Sequence, residues 1–245
     1  RHELLKKLQE VNPSVSTTLS ETAHHMRQAL SVYEVGLQHI ETLVEKSCQC
    51  EFPFYKGRIR RFSMEAIMQL GEAGQMWWKE ICWEHGFSTD EAQQALQAKE
   101  GFWIASSTHQ LCRHGQWLEV ADLRGSLPIL KTEAIPHTHH FRPSCDPYSP
   151  TIDATAVKGQ LTLRYVEIGD RFSPYGMSQG SKLVSDYLTD RHRSRIEKQY
   201  AMVVCDAQGI VWLVGETIAH RVAIQENTPS VLRLTLGRAE QLEEQ

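Results

Sequence analysis

Residues 201–214 read AMVVCDAQGIVWLV. Two dense apolar runs, Ala201–Cys205 and Ile210–Val214, flank the turn residues Asp206-Ala207-Gln208-Gly209. Runs of this kind joined by a short polar turn predict a hairpin in a buried sheet. Upstream, Leu161, Leu163 and Tyr165 alternate, and downstream so do Leu232, Leu234 and Leu236. Alternation with period two marks strands. Ser181–Asp190 is the one clear helical segment among them, so residues 153–245 are expected to form a sheet-rich α+β domain.

The segment before it carries Pro143, Pro147 and Pro150. Three prolines that close block both helix and central strand, and residues 141–152 are read as a linker. Residues 1–140 have a different pattern. Arg1–Gln9 reads as the end of a helix, and Asn12-Pro13 as a start signal, with Asn as N-cap and Pro in the first helical position. Val15, Leu19, Ala23, Met26, Leu30, Tyr33, Leu37, Ile40 and Val44 then recur at steps of three and four. They predict a packing helix of roughly 30 residues, about 45–50 Å long. Glu51–Arg61 reads as irregular. Ser63 can cap a short helix to Leu70, Gln75–His85 is another, and Ser88 with Glu91 forms a capping box for a third. Phe102–Ser106 and Gln116–Val120 read as short strands. The expected whole is α+β: a mainly helical middle domain with a small β-hairpin, then the sheet-rich C-terminal domain.

The 245 residues are 41% hydrophobic and 23% charged, enough for a real core. No apolar run is long enough to span a bilayer, and no signal peptide is visible. The start Arg1-His2-Glu3 reads as a cut fragment of a longer protein. Cysteines at 48, 50, 82, 112, 145 and 205 form no framework, which suits free thiols in a reducing cytoplasm.

The net charge of −4 argues against a generally basic coat for nucleic acid but leaves room for a local basic face. Between Lys158 and Lys198 there are eight Lys/Arg against five Asp/Glu, a net of +3. This island suits phosphate contacts on RNA, and a solvated charge run explains it about as well. Lys56, Arg58, Arg60 and Arg61 form a second island with Phe54, Tyr55 and Phe62 interleaved; these aromatics suit either base stacking or a core, with core favoured.

Gly176–Leu183 places glycines before a Ser-Lys pair, but it is no phosphate-cradling loop. Only three residues separate Gly176 from Gly180, Ser181 intrudes before Lys182, and Leu183 sits where a magnesium-binding hydroxyl is needed. Ser181 is expected instead to cap the following helix. His137, His139, His140 and Cys145 supply ligand types for a metal, as do Cys48 and Cys50, yet neither set has a common zinc spacing and no metal site is expected. No catalytic residues are recognisable by spacing.

Leu161–Arg164 (LTLR), Gly169–Met177 (GDRFSPYGM) and Lys182–Tyr187 (KLVSDY) together resemble the C-terminal domain of the bacterial tRNA(Ile)-lysidine synthetase family. Ile210–Gly215 and Thr228–Leu232 fit that family's ending, Arg1–Leu5 and Asn12-Pro13 resemble the passage from its catalytic domain into its middle domain, and Gly86-Phe87-Ser88 and Gly101–His109 resemble that middle domain. The resemblance implies a parent enzyme that adenylates the wobble cytidine of the minor isoleucine tRNA with ATP and then joins lysine to it. ATP and magnesium would serve an N-terminal PP-loop domain carrying SGGxDS. No such string occurs here, so the chain is expected to lack catalytic residues, to bind no cofactor itself and to be inactive alone. Its implied role is tRNA recognition from the acceptor-stem side, in the cytoplasm and away from membranes. Monomer and homodimer both remain open.

Two departures from the family pattern stand out: Arg193-Ser194-Arg195-Ile196 replaces a hydrophobic-Pro segment, and Glu216-Thr217 follows Gly215 where a basic residue is common. Local charge and resemblance together nominate Arg164, Arg171, Lys182, Arg191, Arg193, Arg195 and Arg221 as RNA contacts. The competing reading is a support module for a catalytic domain, with no RNA contact; a metal-dependent regulatory domain is a third.

Overall fold

A computed structural model describes residues 2–46, 59–123, 125, 127–136, 141–144 and 146–237. Helix α1 (His2–Val11) leads by a tight turn into α2 (Val15–Val44), whose 30 residues match the expected length. The start differs from expectation. Asn12 Oδ1 accepts from the Ser14 backbone N–H at 3.1 Å and from Ser14 Oγ at 2.8 Å, so Asn12 folds a local turn and Ser14 takes the N-cap position. The packing role also holds only in part. Val44 is buried and Leu37 and Ile40 pack on the core, whereas Leu19, Met26 and Leu30 are 51%, 69% and 52% exposed. Helix α1 touches the start of α2, where Gln9 donates to Ser16 Oγ at 2.9 Å, and the core packs on its C-terminal turns; between them, Tyr33 donates its hydroxyl to Glu80 at 3.0 Å.

After β1 (Glu45–Lys46) come β2 (Ile59–Ser63), α3 (Met64–Gln69), α4 (Gly71–Glu84) and α5 (Thr89–Gln97). Ser63 caps α3 by accepting from Ala66 N at 3.2 Å, and the Ser88–Glu91 capping box on α5 is complete. Strands β3 (Trp103–Ala105), β4 (His109–His114) and β5 (Trp117–Asp122) then complete an antiparallel sheet of order β1-β2-β5-β4-β3. The expected small hairpin is thus a five-stranded sheet, and Ile59–Arg61, read as irregular, belongs to one of its strands. Arg60 and Arg61 disguised that strand. Arg60 reaches Glu41 and Glu45, while Arg61 reaches the fully buried Glu119 at 2.6 Å. Phe62, between α4 and the sheet, sets its edge against Trp77 and Trp78 at 5.4 and 5.7 Å, which makes it a core residue. Phe54, Tyr55, Lys56 and Arg58 lie outside the described residues.

The remaining elements are β6 (Ile129–Ile135), β7 (Thr151–Asp153), β8 (Thr162–Tyr165), β9 (Arg171–Phe172), β10 (Lys182–Leu183), α6 (Val184–Asp190), α7 (Arg195–Tyr200), β11 (Met202–Asp206), β12 (Gly209–Leu213), β13 (Thr217–Ile218) and β14 (Val231–Gly237). The predicted hairpin is β11–β12, turning on Gly209 at φ +118° and on Asp206 Oδ1, which accepts from Gln208 N at 2.8 Å. It lies inside the antiparallel sheet β13-β12-β11-β8, as a buried hairpin should. A second sheet, β6-β14-β7, and the β9–β10 pair complete the α+β unit.

The sheets do not divide where the prolines do. Strand β6, placed by sequence in the helical domain, pairs along its whole length with β14, from Ile129↔Gly237 to Ile135↔Val231. The segment read as a linker is built into the second unit. Pro147 O accepts from Trp212 Nε1 at 3.1 Å and from Gly215 N at 3.1 Å, and Thr151–Asp153 is itself a strand. The limits 1–140, 141–152 and 153–245 therefore need revision: strand pairing moves the start of the second unit upstream to β6. Among the described residues, no helix is long and apolar enough to cross a membrane.

Candidate nucleic-acid interface

The segment after β8 folds on the carboxylate of Asp170. Arg164 donates to it twice, at 2.7 and 2.8 Å, and the Glu167 backbone N–H donates at 2.8 Å. The Arg164 hydrogen bonds hold the Asp170 carboxyl below its ordinary range and outweigh the opposing effect of burial. Strand β9 then pairs with β10, Arg171 opposite Leu183 and Phe172 opposite Lys182. Helix α6 begins only at Val184. Ser181, expected as its cap, instead fixes Arg171: Arg171 Nε donates to Ser181 Oγ at 3.1 Å, and Nη2 to Ser181 O at 2.9 Å. Leu183 occupies the N-cap position with no side-chain bond.

Tyr187 organises the cations of this edge. Its ring sets an edge against Phe172, with centroids 5.6 Å apart, which anchors α6 to β9. The Arg191 guanidinium lies 5.4 Å from the ring centroid and donates to the Tyr187 hydroxyl at 3.1 Å. Lys182 Nζ lies 5.9 Å from the same ring and bonds to the exposed Asp190. That contact holds the Asp190 carboxyl below its usual range. Lys198 joins from α7, donating to Thr189 Oγ1 at 2.8 Å. Arg171, Lys182 and Arg191 therefore belong to one rigid β9–β10–α6 unit. Sequence reading missed Tyr187 as the platform for Lys182 and Arg191; its position four residues before Arg191 on a helix was the available signal.

The other nominated cations face elsewhere. Arg193 donates to Glu216 at 2.7 Å and approaches Glu197 at 3.5 Å; those carboxylates are 3% and 4% exposed. Arg221 grips the fully buried Asp206 side chain at 2.6 and 3.0 Å and also meets the Gly209 and Ala156 carbonyls. Burial pushes the Asp206 carboxyl up, and the Arg221 and backbone hydrogen bonds outweigh it to give a net downward shift. Arg195 lies over the Trp103 ring at 4.5 Å and so joins α7 to β3. Arg164, Arg193 and Arg221 thus each face a buried or mostly buried carboxylate. Among the described residues, Arg171, Arg191 and Arg195 have no carboxylate within ion-pair distance.

Gly176–Leu183 does not fit a nucleoside triphosphate. Its last two residues are β10, Lys182 is turned to Asp190, and Leu183 offers no hydroxyl for a metal ion. His137–His140, Cys48, Cys50 and Cys145 lie outside the described residues. Among those described, no group of three or more His, Cys, Asp or Glu could hold a metal ion. Cys82, Cys112 and Cys205 are free and buried, and burial raises all three thiol pKa values.

The fold and this edge define an α+β protein with several cations carried on a small β–α unit. No family model matches the chain. Among curated relatives, the tRNA(Ile)-lysidine synthase of Parabacteroides distasonis is 30% identical over 251 residues, covering 95% of this chain and 54% of that protein. The protein of the same name from Bacteroides thetaiotaomicron is 28% identical over 240 residues, covering 95% and 53%. A crystal structure of the "TILS C-terminal domain" overlaps 45% of this chain and 83% of its own, at 22% identity and a TM-score of 0.38. An N-terminal fragment of the phenylalanyl-tRNA synthetase β-subunit from Pyrococcus horikoshii overlaps 36% and 28%, at 14% identity and a TM-score of 0.32. The relatives' alignments run through nearly all of this chain, which is similar along its length to tRNA(Ile)-lysidine synthases and spans about half the length of the curated relatives it matches.

Proposed function

We propose that this chain is the tRNA-recognising portion of a tRNA(Ile)-lysidine synthase. The whole enzyme would ligate lysine to the wobble cytidine of the minor isoleucine tRNA in the cytoplasm, with ATP forming an adenylated intermediate. We assign no nucleotide or magnesium site to this chain, because its Gly-Ser-Lys loop is the wrong shape for one; alone it should form no lysidine. The observation that carries the reading is the edge around α6. Arg171 and Arg191 sit on the same rigid unit, are exposed, and have no carboxylate within ion-pair distance among the described residues. Cations so placed suit RNA phosphates, which position a molecule without reading its sequence.

Filter binding of isoleucine tRNA across a salt series tests this. Wild type should bind with log K falling linearly against log salt. Arg171→Ala with Arg191→Ala should weaken binding and reduce the slope by about one for each phosphate no longer neutralised. An unchanged affinity and slope would leave these arginines merely solvated. No measurable tRNA affinity in wild type would favour the support-module reading.

A further inference from the structure

A cavity of about 260 Å³ opens between the proline-rich segment and β13. Pro147, Pro150, Ile218 and Ile224 supply apolar walls and Asp146 supplies an exposed carboxylate, while Glu216, also in the lining, has its carboxylate bonded to Arg193 at 2.7 Å. Among the described residues that line it there is no Lys or Arg. Such a lining repels phosphate and accepts hydrogen bonds from neutral N–H groups. The volume falls below the ~300–1,000 Å³ of sites for drug-sized ligands, which suits one planar group rather than a nucleotide with its phosphates.

Tyr175 stands at the rim, 66% exposed. Its position is fixed from below: Tyr175 N donates to Ile218 O at 2.9 Å, and Pro174 bridges to Ala219. Its ring lies 6.3 Å from that of His220, whose Nδ1 accepts from Gly176 N at 3.3 Å. An exposed aromatic face held on rigid backbone is what an unpaired base stacks upon. Tyr175 lies four residues beyond Arg171 on a segment fastened to 218–220, since His220 N also donates to Ser173 O at 2.8 Å. At about 3.3 Å per extended residue the two are roughly 13 Å apart at most, within reach of one RNA strand.

We propose that this cavity receives an unpaired nucleobase from the RNA whose phosphates meet Arg171, with Tyr175 stacked on it. Asp146 favours bases that carry an amino group (adenine, cytosine or guanine) over uracil. A paired stem cannot supply such a base; loops, bulges and ends can, and we take a single-stranded end as its source. This rests on the RNA-binding reading above, and two measurements separate them.

The first uses RNA duplexes and hairpins with the same closed loop that are blunt or carry a four-nucleotide 3′ overhang. The overhang should raise affinity about 5- to 150-fold, the worth of one base–aromatic stack. Tyr175→Ala should erase that gain and leave blunt-hairpin affinity and Tm unchanged, while Tyr175→Phe keeps it. An oligo-U overhang should gain least, and Asp146→Asn should reduce that discrimination. No gain from any overhang, or an equal loss on blunt and overhanging RNA in Tyr175→Ala, overturns the proposal. The second titrates adenosine, cytidine, guanosine and L-lysine against the methyl NMR signals of Ile218 and Ile224. Saturable shifts with the nucleosides, lost in Tyr175→Ala, support the pocket even if the hairpins fail to bind and the phosphate edge is wrong. Saturation by L-lysine alone, or by none of the four, overturns it.

Discussion

Replacing Arg193 with Met removes the only guanidinium that reaches Glu216 among the described residues. The Arg193 side chain is 18% exposed and that of Glu216 3% exposed, so the pair is largely withdrawn from water. Breaking a buried pair by deleting one partner costs about 3–5 kcal/mol, because the remaining charge stays desolvated. The second interaction, with Glu197, adds little: Glu197 keeps Arg61 at 3.2 Å and accepts from Ser194 N at 2.7 Å. The cost should therefore fall at the low end, about 3 kcal/mol, which for a chain of this size lowers Tm by about 6–12 °C. Thermal and urea unfolding at pH 7 measure it. Arg193→Met with Glu216→Met should recover to within about 1 kcal/mol of wild type, since both charges are then gone. Arg193→Met losing under about 1 kcal/mol while tRNA affinity drops would refute the reasoning and restore Arg193 as a solvent-facing RNA contact.

Acid should destabilise the fold through Asp170 and Asp206. Their folded pKa values lie below the ordinary 3.8, so their contribution is complete above that value and disappears as pH falls through the lower folded one; urea titrations from pH 7 to 2 should show the step, diminished in Asp206→Asn. Phe62→Ala should cost about 3–5 kcal/mol in the same assay, as expected for a fully buried ring set between two tryptophans. Leu30→Lys, on the exposed part of α2, should change stability by less than about 0.5 kcal/mol, and a larger loss would mean that this face is covered in solution. Ser194→Ala removes a buried capping box and should cost about 1 kcal/mol without altering the salt dependence of tRNA binding.

Local signals in the sequence read well. The step pattern of α2 predicted its length, Ser63 and the Ser88–Glu91 pair predicted their caps, and AMVVCDAQGIVWLV predicted its hairpin. Features whose partners lie far along the chain did not. Arg221 and Arg193 looked like cations open to RNA because Asp206 and Glu216 stand 15 and 23 residues away, and a local charge count cannot pair across such distances. The Ser194–Glu197 box had a readable S-x-x-E signature, but it sits inside a run of arginines and passed as a charge island, which hid α7. Strand β10 has only two residues, with no periodicity to detect. Exposure of α2 was invisible for another reason: an apolar stripe states what a helix can bury, and the neighbours decide how much of it is buried.

Two positions singled out separately in the sequence meet in the fold: Arg193 and Glu216 bond to each other at 2.7 Å. A lone arginine here would face Glu197 only at 3.5 Å, and a lone Glu216, 3% exposed, would be an uncompensated buried charge. Each residue makes the other tolerable. Reversing the pair, with Arg193→Glu and Glu216→Arg, tests whether attraction alone suffices. Residue 193 would then face Glu197 as a like charge, and the swap should stay below wild type by more than the double Met variant does. A swap as stable as wild type would mean that Glu197 is not part of this cluster.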